Sequence, residues 1–234
     1  MGNSSSSEED LQKVGYRVLG VQANSPAAKG GLVSFFDFIV QANGIPLRVL
    51  DSTFIDLIKA FEDKPLPLQI YNWKNRSFRE ITLIPSRNWP GEGMLGVTIR
   101  FDSYKDAEEQ MLHVLEVETN SPAELAGLVP YKDYLLGTAE KAFTDAEVLQ
   151  QELMEHLDRP VEFYVYNTES DEVRVVVIMP TSDWGADGDG GILGANVAYG
   201  YLHLLPAHCC ETIGKSNESE ANRSVSSPFG QNFL

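Results

Sequence analysis

Four short stretches of this sequence hold residue types that do chemistry. Gly188-Asp189-Gly190-Gly191 has the glycine-rich setting in which hydrolases hold a nucleophilic serine, but no serine stands at the nucleophile's place. A catalytic triad needs one. Asp183, Asp187 and Asp189 gather carboxylates without the alternating oxygen ligands and closing glutamate of a calcium loop, so a solvated turn is the plainer reading. His208-Cys209-Cys210 carries metal-ligating or acylatable side chains in a segment read as a frayed tail, and His113 and His156 fall on strand and helix patterns as packing or surface residues. No enzyme, no metal and no diffusible cofactor are therefore expected. The fourth stretch, Met1-Gly2-Asn3-Ser4-Ser5-Ser6, fits the pattern in which Met is removed and Gly2 is N-myristoylated, against a plainer reading as a polar tail. One such chain binds a bilayer with an association constant of only about 10⁴ M⁻¹. Glu8, Glu9 and Asp10 have the wrong charge for an anionic leaflet, so the second membrane signal is expected from a protein partner or a sister subunit's lipid.

The elements around these stretches come in two copies. Leu19 to Leu32 returns 96 residues later as Leu115 to Leu128, with Asn24-Ser25-Pro26-Ala27 answered by Asn120-Ser121-Pro122-Ala123. In 234 residues a repeat at this spacing divides the chain into two units of about 100 residues rather than one large core. With 34 acidic against 18 basic side chains, a net charge of −16, the surface repels phosphate backbones, and nucleic acid is excluded as a partner. The two cysteines are adjacent, too close for an unstrained bridge, so no disulfide framework is expected. No apolar run approaches 18 residues and the first ten are polar and acidic, which predicts a chain made and kept in the cytosol.

In the first copy, Tyr16 to Gln22 alternates as a half-buried strand, and Ser25 caps a short helix that Pro26 begins and Gly31 ends. Phe35 to Val40 reads as a strand running into Asn43-Gly44, a dipeptide that tolerates the positive φ of a tight hairpin. Between Ser52 and Glu62 the side chains Phe54, Leu57, Ile58 and Phe61 recur at i, i+3, i+4 and i+7, one apolar face of a helix. Leu68 to Asn72, Phe78 to Ile84 and Leu95 to Arg100 complete the strands. In the second copy a helix is expected near Asp145 to Leu157 with Leu149, Leu153 and Leu157 stacked. Trp184 answers Trp89, the loop after it gains three residues, and Leu193-Gly194-Ala195 answers Leu95-Gly96-Val97.

This order of elements resembles a PDZ domain. A PDZ domain adds an extended peptide to a sheet edge between one strand and one helix, with backbone bonds giving affinity and alternate pockets giving choice. The strand that would line the groove comes last here, so the resemblance implies a mixed α+β, mainly β chain of two tandem circularly rearranged PDZ domains. Each would be a small, partly open β-barrel with two helices. The expected division is a lipidated segment at 1–14, domains at 15–108 and 109–206, and a short disordered tail at 207–234. The first peptide groove would be walled by Leu95, Gly96, Val97 and Ile99 on one side and Leu57, Ile58 and Phe61 on the other; Leu57, Ile58 and Ile99 equally fit a core face. The second would use Leu193, Gly194, Ala195, Leu149 and Leu153.

A tandem of this kind behind a myristoylation signal resembles the GRASP family of Golgi reassembly stacking proteins. The motifs Phe35 to Ile39, Leu95 to Phe101, His113 to Glu118, Asn120 to Ala123, Tyr164 to Thr168 and Tyr199 to His203 carry the likeness. It implies a peripheral tether and adaptor on the cytoplasmic face of Golgi membranes that self-associates between opposed membranes. It also implies binding to golgin coiled-coil C-terminal tails and cargo C-terminal tails, and a part in stacking, ribbon linking and unconventional secretion. By the same resemblance the first groove of one copy takes an internal segment of another, within Asn196, Val197, Ala198, Tyr199, Gly200 and Tyr201. Where some relatives share a zinc with a partner, this chain has Arg17 and Asp102, and no zinc is expected. The long regulatory tail is reduced to about 28 residues with Ser227 as its phosphorylation candidate. The alternative reading is a soluble PDZ scaffold or the regulatory module of a protease, with no membrane role.

Overall fold

A computed structural model describes residues 13–185 and 191–216. Gly2, Ser227, Asp187 and Asp189 lie outside the described residues. The first copy forms strands β1 (Val14–Val21), β2 (Asp37–Ala42), β3 (Ile45–Pro46), β4 (Leu66–Asn72), β5 (Ser77–Leu83) and β6 (Val97–Ser103), with helices α1 (Pro26–Lys29) and α2 (Thr53–Ala60). The second forms β7 (Leu112–Val117), β8 (Asp133–Gly137), β9 (Val161–Asn167), β10 (Glu172–Ile178), β11 (Ala195–Ala198) and β12 (Lys215–Ser216), with helices α3 (Pro122–Leu125) and α4 (Ala146–Glu155). The sheet orders are β5-β4-β2-β1-β6, with β3 on β2, and β11-β7-β8-β9-β10-β12. Both are open sheets, with the late strands β6 and β11 placed at an edge beside β1 and β7, as the rearranged order requires.

Local sequence explains most element ends. The Ala28 amide donates to Ser25 Oγ (3.0 Å) and the Glu124 amide to Ser121 Oγ (3.1 Å), the same cap on α1 and α3. Asn43 and Gly44 turn the β2–β3 hairpin with φ of 47° and 77°. Helix α4 begins where the Val148 amide donates to Asp145 Oδ1 (2.9 Å); this bond holds the Asp145 carboxyl below its usual range. The strand expected from Phe35 starts instead at Asp37, because Phe35 has φ 66° and its amide donates to the Val18 carbonyl across the turn. Tyr131, its counterpart, has φ 61°. Leu149 and Leu153 are buried as the stacking predicts, while Leu157 falls beyond the last turn of α4.

Each copy is pinned by the same buried polar knot, which the sequence reading did not single out. Asp37 accepts from the Val33 amide (2.7 Å), Asn72 Nδ2 (2.8 Å) and Arg79 Nη1 (2.7 Å), and Arg79 Nη2 also donates to the Gly31 carbonyl (3.0 Å). Asp133 accepts from the Val129 amide (2.8 Å), Asn167 Nδ2 (2.7 Å) and both Arg174 Nη atoms (3.0 and 2.6 Å), and Arg174 reaches the Gly127 carbonyl (3.1 Å). Both aspartates are fully buried. A buried carboxylate holds only when opposite charge and donors surround it, and the knot supplies both while tying the end of the short helix to three strands.

The two copies share a core. Each has its own apolar centre, and a third cluster joins them through Phe35, Phe36 and Phe38 of the first and Tyr134, Leu136 and Tyr166 of the second. Phe36 stands edge-on to both Trp73 (5.1 Å) and Tyr166 (5.0 Å), and Gly20 is required where the chain meets Tyr164, since a Cβ there would lie 2.7 Å from the phenol oxygen. Burial in this seam pushes the Tyr164 phenol up to about 12. Arg17 is buried here too, donating to Gln110 Oε1 (2.5 Å) and lying 3.8 Å from Asp102. Burial lowers its guanidinium to about 10, with the Asp102 charge opposing.

The tail expected from residue 207 is, over 207–216, part of the fold. Ala207–Glu211 is a 3₁₀ turn and β12 pairs in parallel with β10. Lys74 of the first copy is fully buried beneath this segment. Its Nζ donates to the Cys209 carbonyl and to both oxygens of Thr212 (3.0 and 2.9 Å), and pairs with Asp171 of the second copy at 2.8 Å. Ser34 and Ser216 (2.8 Å) and Asn72 and Ile213 (3.1 Å) add bonds between the segment and the first copy. The family resemblance made the segment read as tail; backbone carbonyls around one buried ammonium hold it. Burial raises the Asp171 carboxyl, but hydrogen bonds from Lys74, Thr212 and Tyr166 win and hold it below its usual range.

Candidate peptide grooves

Edge strands and amphipathic helices meet at two places. In the first copy β6 is the terminal strand, paired with β1 from Val97↔Val21 to Ser103↔Val14, and no strand lies beyond it among the described residues. Helix α2 is anchored by fully buried Phe54, while Leu57, Ile58 and Phe61 are half-buried against the same core. Val97 and Ile99 on β6 are half-buried as well. These side chains thus combine the two readings left open by sequence: they pack on the core and keep an open flank. Leu95 and Gly96 are buried in the loop leading into β6.

That loop is held by bonds that recur in both copies. The Ala27 amide donates to the Leu95 carbonyl and the Gln22 amide to the Gly96 carbonyl, both at 2.9 Å. In the second copy Ala123 donates to Leu193 (3.0 Å) and Glu118 to Gly194 (2.9 Å). Gly96 and Gly194 have φ of 65° and 69°, and a Cβ on either would fall within 2.3 Å of the capping serine's Cβ and within 2.7 Å of a tryptophan ring. The rings are fixed in turn: Trp89 Nε1 donates to the Gly93 carbonyl (3.0 Å) and Trp184 Nε1 to the Gly191 carbonyl (2.9 Å). With its carbonyls used inward, such a loop can present amides to a peptide end. Sequence showed the tryptophans as repeated residues, and only the structure gives them this anchoring role.

The second furrow encloses about 510 Å³ between β11, its loop and α4. Leu193, Gly194, Ala195, Leu149 and Leu153 all line it, together with Glu116, Glu118 and Gln150, which the sequence reading passed over. The candidate donor segment divides. Asn196, Val197 and Ala198 belong to β11 and pair with β7, and the first two also wall this furrow. Beyond them Gly200 turns at φ 88°, and Tyr199, Tyr201 and Leu202 are exposed, the last two at 82% and 87%. Such exposure of consecutive large apolar groups is unusual for a surface turn. Among the described residues no three His, Cys, Asp or Glu side chains gather as a metal site.

Comparison with known proteins agrees with this geometry. The family model described as the GRASP55/65 PDZ-like domain matches residues 4–99 and again 68–208. Golgi reassembly-stacking protein 1 of Mus musculus is 40% identical over 206 residues, 88% of this chain and 45% of that protein. The Homo sapiens protein of the same name is 41% identical over 192 residues, 82% of this chain and 43% of its own length. GRASP65 homolog protein 1 of Saccharomyces cerevisiae is 28% identical over 214 residues, 76% and 55% of the two chains. The chain thus spans about half the length of these relatives. Two open, edge-stranded modules with matched glycine loops, each loop falling within a match to the same model, show that the chain belongs to the GRASP55/65 PDZ-like domain family.

Proposed function

We propose that this chain is a tether and adaptor on the cytoplasmic face of Golgi membranes, self-associating when the first groove of one copy receives the exposed Tyr199–Leu202 turn of another. The carrying observation is the combination of an edge strand, β6, with no strand beyond it among the described residues and the same core beneath it as Leu57, Ile58 and Phe61, with a turn that projects Tyr201 and Leu202 into solvent. The relatives' name, Golgi reassembly-stacking, supports the setting. Golgin and cargo C-terminal tails would use the same grooves, linking the chain to stacking, ribbon formation and unconventional secretion. Micromolar contacts are worth roughly 8 kcal/mol each. Many of them between two surfaces gain avidity of about 10²-fold or more.

Ile99→Asp places a charge on the open flank of β6. The variant is expected to keep its far-ultraviolet circular dichroism and sediment as a monomer at concentrations where the parent associates; unchanged sedimentation would remove the groove from the account. Gly2, the expected site of the myristoyl group, is tested separately. Gly2→Ala is expected to move most of the protein from the membrane pellet to the soluble fraction of cells, with intact-mass measurement reporting the lost acyl group. Retention of that variant on Golgi membranes would show that partner binding alone suffices.

A further inference from the structure

The two grooves differ in charge. Glu116 and Glu118, at the mouth of the second furrow, stand where the first copy has Gly20 and Gln22. Both carboxylates are exposed, neither is in an ion pair among the described residues, and no Lys, Arg or His lines that furrow. Glu116 sits on β7, directly behind the edge strand, where it pairs with Asn196 of β11, and Glu118 follows the end of β7, its amide donating to the Gly194 carbonyl (2.9 Å). A peptide extending the sheet at β11 alternates its side chains. One set would meet Leu149, Leu153 and Leu193, and the intervening set would meet Glu116 and Glu118.

We propose that the second groove is a receptor for a basic peptide end, a chain finishing in an apolar residue with a free carboxylate and carrying Lys or Arg one and three residues before it. The apolar end fills the pocket between Leu193 and α4, the glycine loop takes the carboxylate, and the two cations meet Glu116 and Glu118. This rests on the reading of the furrow as a peptide groove, and adds the class of peptide it takes. The first groove, with Gly20 and Gln22 at the matching places, shares the apolar end but not the charge preference.

Two fluorescein-labelled octapeptides test it, identical in their apolar last residue and free carboxylate, with Arg in one and Glu in the other at the two positions. The full chain is expected to bind the Arg peptide about tenfold more tightly at low salt, as two exposed charge pairs allow. The preference should shrink as salt rises. Amide shifts should centre on Leu193 to Ala198. In E116Q/E118Q, which leaves most of the −16 charge in place, the preference should fall to near unity. A preference that survives in E116Q/E118Q belongs to the overall charge and overturns the proposal. Equal binding of both peptides, with shifts still at Leu193 to Ala198, overturns the basic-end proposal and leaves the groove standing. Absence of binding by either peptide overturns the groove reading and this proposal with it.

Discussion

Asp133→Ala is expected to destabilise the protein by about 3–5 kcal/mol, the cost of removing one partner from a buried, charge-paired network. The carboxylate is fully buried and accepts from an amide, Asn167 and both arms of Arg174. Its loss strands each of those donors at once. In a chain of this size the melting midpoint should fall by roughly 6–20 °C. Asp37→Ala should do the same in the first copy, since Asp37 makes the matching set with Val33, Asn72 and Arg79. Because the copies share a core, one transition rather than two is expected in both variants. Chemical unfolding of the two proteins checks this, and a loss under about 1 kcal/mol would mean the knot contributes little beyond its hydrogen bonds.

Gly96→Ala is expected to damage the first groove more than any other single methyl group. The left-handed conformation at φ 65° costs a side-chain-bearing residue about 1–2 kcal/mol. The new Cβ also falls 2.3 Å from Ser25 Cβ and 2.5 Å from the Trp89 ring, an overpacking worth about 1–3 kcal/mol more. The loop must shift to relieve it, and the shift moves Leu95 and the start of β6. Gly93→Ala is the control, since its φ is 74° but a Cβ there meets nothing within 4 Å. It should show the backbone penalty alone and leave self-association intact. Paired melting and sedimentation measurements separate the two; equal behaviour would assign the effect to backbone strain and acquit the packing.

The duplication made most of the fold legible. An offset of 96 between Ser25 and Ser121 foretold two identical helix caps, and Asn43-Gly44 foretold its hairpin, because both are local chemistry. The groove helices were legible from period alone. What stayed hidden was which surface faced which. Phe35, Phe36 and Tyr166 announced burial, yet nothing in their spacing said that they would meet one another across the two copies. The knots were present in the repeat as Asp37 and Asp133, Asn72 and Asn167, Arg79 and Arg174, and could have been found by asking which polar residues recur beside apolar ones. The 207–216 segment escaped for the opposite reason. It is held by its backbone carbonyls around Lys74, and backbone leaves no trace in composition.

The Lys74–Asp171 ion pair and the bond from the Ser34 amide to Ser216 Oγ clamp the two copies as one block, which has a bearing on the shape of any assembly. If the socket lies on the front half and the plug on the back half of an unbending unit, each subunit passes its plug to the next in a fixed direction. Unequal patches joined this way repeat by the same screw at every step and close only if the rotation happens to complete a ring. The expected product is then a polar thread whose two tips differ, one offering a vacant socket and the other an unused plug.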